Sequence, residues 1–135
     1  MAVSSHTEHL RPRLNGSLEL PDGRRLGYAE FGPAGGRPVL WFHGTPGSSH
    51  QVPPAARRAA HALDLRLIGV ERPGFGRSTP HCHESVLAAK DDIAVLLGAL
   101  GIDRVALAGL SGGGPYALAC ARRLGSRVVA AALLG

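Results

Sequence analysis

The sequence predicts an α/β fold: a mostly parallel sheet entered through an initial antiparallel hairpin, with helices on both faces. Three observations carry that reading. Four short apolar runs, at 39–42, Leu65–Val70, Val105–Leu110 and Val128–Leu134, have the length and bulk of strands buried on both faces. Segments with helical spacing or helix-start chemistry separate them, which requires right-handed crossovers onto one parallel sheet. Glycine-rich loops, HGTPG, ERPGFGRS and LSGGG, follow the first three runs, so all three share the rim at the carboxyl ends of the strands, where ligands bind in such sheets.

Taken in order, residues 1–14 are polar and aperiodic and are expected to form a loose leader. Asn15-Gly16-Ser17 matches a glycosylation sequon but reads as a turn. From Ser17, SLEL alternates, PDG at 21–23 supplies a turn and RRLGYAEFG alternates again, which predicts a hairpin. GPAGGRP leads into the strand VLWF; after the HGTPGSS loop, residues 53–63 suit a helix with Pro near its first turn. Leu65–Val70 is the next buried strand. Beyond the Gly/Pro-rich ERPGFGRSTP, residues 85–100 place Ile93, Leu96, Leu97 and Leu100 at helical spacing, with Gly101 as a C-terminal cap. Val105–Leu110, a helix over 113–124 with Pro115 in its first turn, and a fourth buried strand at Val128–Leu134 complete the alternation, with no internal repeat.

A chain of 135 residues holds one domain, and 44% hydrophobic against 19% charged residues is the balance of a globular chain. The formal charge is +5, carried by 14 arginines and one lysine that are scattered or paired (Arg24/Arg25, Arg57/Arg58, Arg122/Arg123). The pairs read as solvated helix faces or turns. Without a basic stripe, and with 4% aromatic residues, the chain is not expected to bind nucleic acid. Two cysteines, Cys82 and Cys120, cannot make a disulfide framework and fit a reducing cytoplasm. The N-terminus lacks the apolar core of a signal peptide, and no stretch approaches the roughly 18 apolar residues of a membrane span, so a cytoplasmic location without a membrane partner is expected.

The sharpest feature is Gly109-Leu110-Ser111-Gly112-Gly113, a G-x-S-x-G match between a strand and a helix. A serine at such a turn is forced into a strained backbone and stands above the sheet, while side chains at 109 or 113 would collide with the adjacent helix or strand. The following helix offers free amides and its positive dipole end, so the Gly112 N–H can face an oxyanion. A second amide must come from His43-Gly44-Thr45-Pro46-Gly47 on the same rim, with Thr45 the candidate donor.

Through HGTPG, ERPGFGRS and GLSGG in that order, residues 17–135 resemble the α/β-hydrolase family, particularly its HGxPG-loop, proline iminopeptidase-like members. The resemblance implies Ser111 as nucleophile, the Thr45 and Gly112 backbones as oxyanion hole, His43 and Gly44 as parts of the site loop, an ester or amide substrate and no cofactor. It also implies the first six strands of an eight-stranded family sheet. Glu71 stands where the family usually has Asp at the start of the third loop, which bears on the hydrogen bonding of that turn.

The family triad runs Ser, then Asp or Glu, then His. Residues 112–135 contain none of these acids or bases. The expectation is an N-terminal portion: residues 15–135 as an incomplete domain lacking the cap and the last two strands, inactive or incomplete alone. The alternatives are a non-catalytic remnant or binding module, and a half-enzyme complemented by a chain carrying the acid and His. An apolar edge at 128–134 calls for a partner chain to cover it.

Other signals take plainer readings. His43 is expected to hold its loop rather than act as base. His81-Cys82-His83 are too close in sequence to converge on one metal, and no metal site is expected. Gly112 to Ala117 matches G-x-G-x-x-A, but the ribose-binding acid about 20 residues on is absent. Asp91 and Asp92 read as a solvated helix face opposite Ile93 and Leu96.

Overall fold

The computed structural model describes residues 10–135; residues 1–9, most of the expected leader, lie outside the described residues. Strand β1 (Leu14–Glu19) pairs antiparallel with β2 (Arg25–Phe31), Leu14 opposite Glu30 and Glu19 opposite Arg25. The strand therefore begins one residue inside the expected leader, and the Arg13 N–H already donates to Glu30 O at 2.7 Å. Asn15-Gly16-Ser17 is not the expected turn. These residues pair with Ala29, Tyr28 and Gly27, because the ladder satisfies their backbone groups and Gly16 leaves room for the Tyr28 ring crossing it. The turn lies at PDG, where Gly23 N donates to Leu20 O at 2.9 Å and Gly23 takes φ +86°.

The chain continues through β3 (Arg37–Phe42), α1 (Pro54–Ala62), β4 (Leu65–Val70), a single 3-10 turn at Val86–Ala88, α2 (Ala89–Ala99), β5 (Val105–Leu110), α3 (Gly114–Leu124) and β6 (Val128–Leu134). One six-stranded sheet results, in the order β1-β2-β4-β3-β5-β6. Its β1–β2 and β2–β4 pairs are antiparallel; β4, β3, β5 and β6 are parallel neighbours. From β3 the chain adds β4 on one side and β5 on the other, so the strand order reverses at β3 and opens a crevice at the carboxyl ends of β3 and β5.

Alternation along the central strands builds two cores. Leu40 and Phe42 of β3, Ile68 and Val70 of β4, and Leu107 of β5 pack under α2 and α3 with Ile93, Leu96, Leu97 and Cys120. Trp41, Leu67 and Ala108 face the other way, onto Val52 and Ala60 beneath α1. Burial pushes the Cys120 thiol up to about 12, and both cysteines are free. No helix among the described residues is long and apolar enough to cross a membrane.

Long-range packing corrects the reading of Asp92 and of two of the paired arginines. Asp92 is not on a solvated face: it is buried, and it ion-pairs with Arg24 from the hairpin turn. For the same reason Arg24 is not a solvated turn residue, and Arg57 also folds inward, its guanidinium 4.5 Å from the Phe31 ring centroid. Strand β6 is not buried on both faces: it is the apolar edge expected at 128–134, leaving Val129, Leu133 and Leu134 largely accessible.

The arginines also show an order the sequence hides. Arg37, Arg66, Arg104 and Arg127 stand at or beside the N-terminal ends of β3, β4, β5 and β6, four neighbouring strands. Two of them reach the carbonyl of the residue that caps a helix, Arg37 to Leu63 O at 3.5 Å and Arg66 to Leu100 O at 3.4 Å, and Arg127 reaches Ile102 O and Asp103 O at 2.8 and 3.0 Å in the connection from α2 to β5. Helix C-termini leave carbonyls unpaired and carry partial negative charge, so cations collect there.

Candidate active site

Strand β5 ends at Leu110, and Ser111 takes φ +47°, the left-handed region that side chains rarely adopt. The chain must pass there from a strand straight into the turn Ser111–Gly113 and then α3. Close packing enforces the bend. A methyl group on Gly109 would lie 2.8 Å from Gly113 O and Gly114 Cα; one on Gly113 would lie 2.8 Å from His43 O and closer still to the Phe42 carbonyl. These obstacles are backbone and cannot step aside. The elbow is thereby seated against the end of β3, with the Ser111 side exposed.

The loop after β3 meets this elbow. A methyl on Gly112 would lie 2.6 Å from Thr45 Oγ1 and 3.5 Å from Thr45 N, and one on Gly44 would lie 3.6 Å from Ser111 Cβ. Ser111, Gly112, Gly44 and Thr45 are thus brought together. The Gly44 N–H is committed to Gln51 Oε1 at 2.9 Å, while Gln51 Nε2 donates to Pro46 O at 3.0 Å, so Gln51 staples the loop across its base. The next amide, Thr45, lies over Gly112.

His43 is fully buried below them. Its Nδ1 donates to Gly44 O at 2.7 Å and its Nε2 accepts the Arg72 backbone N–H at 3.1 Å, which fixes a neutral ring and engages both nitrogens within the loops. Burial holds the imidazole below its ordinary 6.5, with Arg72 acting in the same direction and the Gly44 hydrogen bond opposing.

The third loop, after β4, supplies Glu71 and, beside it, Arg72, which spacing did not reveal. Glu71 is buried and accepts from Ser49 Oγ and the Arg77 N–H, both at 2.7 Å, so the longer acid closes its own turn. Arg72 is buried too, and its Nη2 donates to Thr45 Oγ1 at 2.6 Å and Gly44 O at 3.0 Å. Nothing in the one-dimensional pattern marks Arg72 or Gln51, since their partners sit on loops that meet only in the fold.

His81, Cys82 and His83 lie elsewhere. With Leu20, Arg24 and Asp92 they line an open cavity of about 530 Å³ between the hairpin turn and α2, none of whose lining residues belongs to the HGTPG or GLSGG loops. His83 Nε2 is 3.4 Å from Asp92 Oδ2. Among the described residues no group of three or more His, Cys, Asp or Glu side chains is arranged to hold a metal ion.

Comparison with known proteins agrees with this geometry. Residues 37–135 match the alpha/beta hydrolase fold family. A proline iminopeptidase of Xylella fastidiosa (strain 9a5c) is 37% identical over 114 residues, covering 82% of this chain and 36% of that protein. Among solved structures, a membrane phospholipase A described as a bacterial virulence factor superposes with TM-score 0.80 at 25% identity, over 95% of this chain and 41% of its own. A thermophilic esterase from Thermogutta terrifontis does so with TM-score 0.74 at 30% identity, over 89% and 44%. The chain spans about a third of the length of the curated relatives it matches. With the strand order, the strained serine between β5 and α3 and the family match in agreement, the chain belongs to the α/β-hydrolase family, with sequence similarity to its proline iminopeptidases.

Proposed function

We propose that this chain carries the nucleophile and oxyanion hole of a serine hydrolase that transfers an acyl group from an ester or amide to water. The observation that carries the reading is Ser111 at φ +47° on the strand-to-helix turn, with Thr45 held over Gly112. Ser111 Oγ attacks the carbonyl carbon as its proton passes to a base, the amides of Gly112 and Thr45 hold the oxygen as it becomes negative, and the alcohol or amine leaves with that proton. Water, giving a proton to the same base, then cleaves the acyl–serine bond and releases the acid while the proton returns to Ser111 Oγ. His43 holds the loop and leaves Ser111 without a base from its own loop.

Residues 112–135 hold no Asp, Glu or His, so the acid and base come from residues beyond this chain or from a partner chain. Residues 15–135 are on this reading an incomplete domain without cap and last two strands, in keeping with the share of its relatives that the chain spans. Exposed β6 is the edge such a segment or partner would cover. The free cysteines fit a cytoplasmic setting. Proline iminopeptidase relatives favour a peptide-like amide substrate over the ester of the phospholipase and esterase structures.

The deciding measurement is the intact mass of the protein from its native source before and after treatment with a fluorophosphonate. One adduct, lost on Ser111→Ala, on a species heavier than the 135-residue chain supports the hydrolase. A 135-residue species without adduct identifies a catalytically silent remnant.

A further inference from the structure

Arg72 presents an unusual combination of burial and charge. The residue is 7% exposed, yet among the described residues no carboxylate lies within ion-pair distance of it. A buried guanidinium with no carboxylate partner is costly to the fold. Its charge is answered instead by the Phe75 and Tyr116 rings, each with its centroid 4.9 Å from Cζ, and by Gly44 O and Thr45 Oγ1; its Nε has no acceptor. Tyr116 comes from the first turn of α3, just beyond Ser111, so the arginine is clamped between the third loop and the nucleophile's own helix.

The chemistry of the contact to Thr45 is directional. A guanidinium only donates, so Thr45 Oγ1 must accept at 2.6 Å, and its hydroxyl hydrogen must point elsewhere. Oγ1 lies against Gly112, where the oxyanion would form. Resting on the hydrolase reading above, we propose that Arg72 is the positioning residue of the oxyanion hole, fixing the Gly44–Thr45 peptide and turning the Thr45 hydroxyl toward the oxyanion as a third donor. Its charge, one side chain behind the hole, favours the same negative oxygen.

The test compares wild type, Arg72→Met, Arg72→Lys and Thr45→Val, purified from the source organism, by amide hydrogen exchange and by the rate of fluorophosphonate addition at Ser111. In that addition the Oγ–P bond forms, fluoride leaves and the hydroxyl proton passes to solvent. Arg72→Met is expected to speed exchange over residues 44–47 about tenfold, leave Leu40 and Ile68 unchanged, and slow addition about 100-fold. Thr45→Val should slow addition about tenfold without loosening the loop, and Arg72→Lys should fall between. Addition unaffected by Arg72→Met and Thr45→Val in a wild type that does react overturns this proposal alone. A wild type that never reacts defeats the hydrolase reading, and loop exchange then still decides whether Arg72 holds residues 44–47. Should Arg72→Met not fold, Arg72→Lys and Thr45→Val carry the same comparison.

Discussion

Arg24 and Asp92, 68 residues apart, are joined by two parallel hydrogen bonds, Nη2 to Oδ1 at 2.7 Å and Nη1 to Oδ2 at 2.9 Å. The pair ties the hairpin turn to the first turn of α2, and each side chain is mostly removed from water, 15% and 10% exposed. Asp22 also holds Arg24, at 2.7 Å from Nε, so Asp92→Ala leaves the guanidinium a carboxylate and is expected to cost about 1 kcal/mol in urea unfolding, whereas Arg24→Ala takes the guanidinium from buried Asp92 and should cost about 2 kcal/mol. Replacing both, as Arg24→Met with Asp92→Leu, should cost less than the two single changes summed.

Gly113→Ala is expected to destabilise by about 3 kcal/mol, because the new methyl meets the carbonyls of Phe42 and His43 rather than movable side chains. Gly98→Ala provides the control: it has open space, lies inside α2 and should stabilise by up to about 1 kcal/mol. Urea midpoints of the two variants should move in opposite directions.

Ser111→Gly separates function from stability. Glycine accepts φ +47° without the strain a serine carries there, so the variant should be as stable as wild type or better by up to about 1 kcal/mol, while taking up no fluorophosphonate. A large loss of stability would mean that the serine hydroxyl holds the elbow together.

Acid should weaken the fold through two histidines. His43, facing Arg72 and Glu71, and His83, facing Asp92, His81 and Arg24, are both held below 6.5, chiefly by burial. With the folded pKa depressed, the unfolded chain takes up protons first, so stability is full above about pH 6.5 and falls as pH drops toward the folded values, by at most about 1.4 kcal/mol per unit and group. Urea unfolding between pH 8 and 5.5 should show this decline, and His43→Gln should flatten it. A flat wild-type profile would contradict the burial of both rings.

The sheet was legible because each parallel strand carries a short apolar run, because glycine-rich loops follow β3, β4 and β5, and because Pro54 and Pro115 mark helix starts. The hairpin was legible from alternation, but its beginning was not: Asn15-Gly16-Ser17 has turn composition, and only the partner strand shows that its backbone is paired. Asp92 was misread although it stands four residues before Leu96 and three after Ala89, on the buried stripe of α2; its acceptability there depends on Arg24, which no local window contains. At the candidate site, motif and strand context place Ser111 and Gly112 on the turn after β5 and HGTPG on the loop after β3. Arg72 and Gln51 did not, since hydrogen bonds between loops after different strands leave no periodicity in sequence.

The arginine row at the strand starts gives the chain's composition a mechanical meaning. Each guanidinium that reaches a helix cap or the connection beyond it acts as a stitch between that segment and the base of the sheet. Arg127 grips two successive carbonyls with two different nitrogens, which the single ammonium nitrogen of a lysine cannot reproduce. Exchanging arginine for lysine at these positions would keep the net charge while loosening the seam between the helices and the base of the sheet.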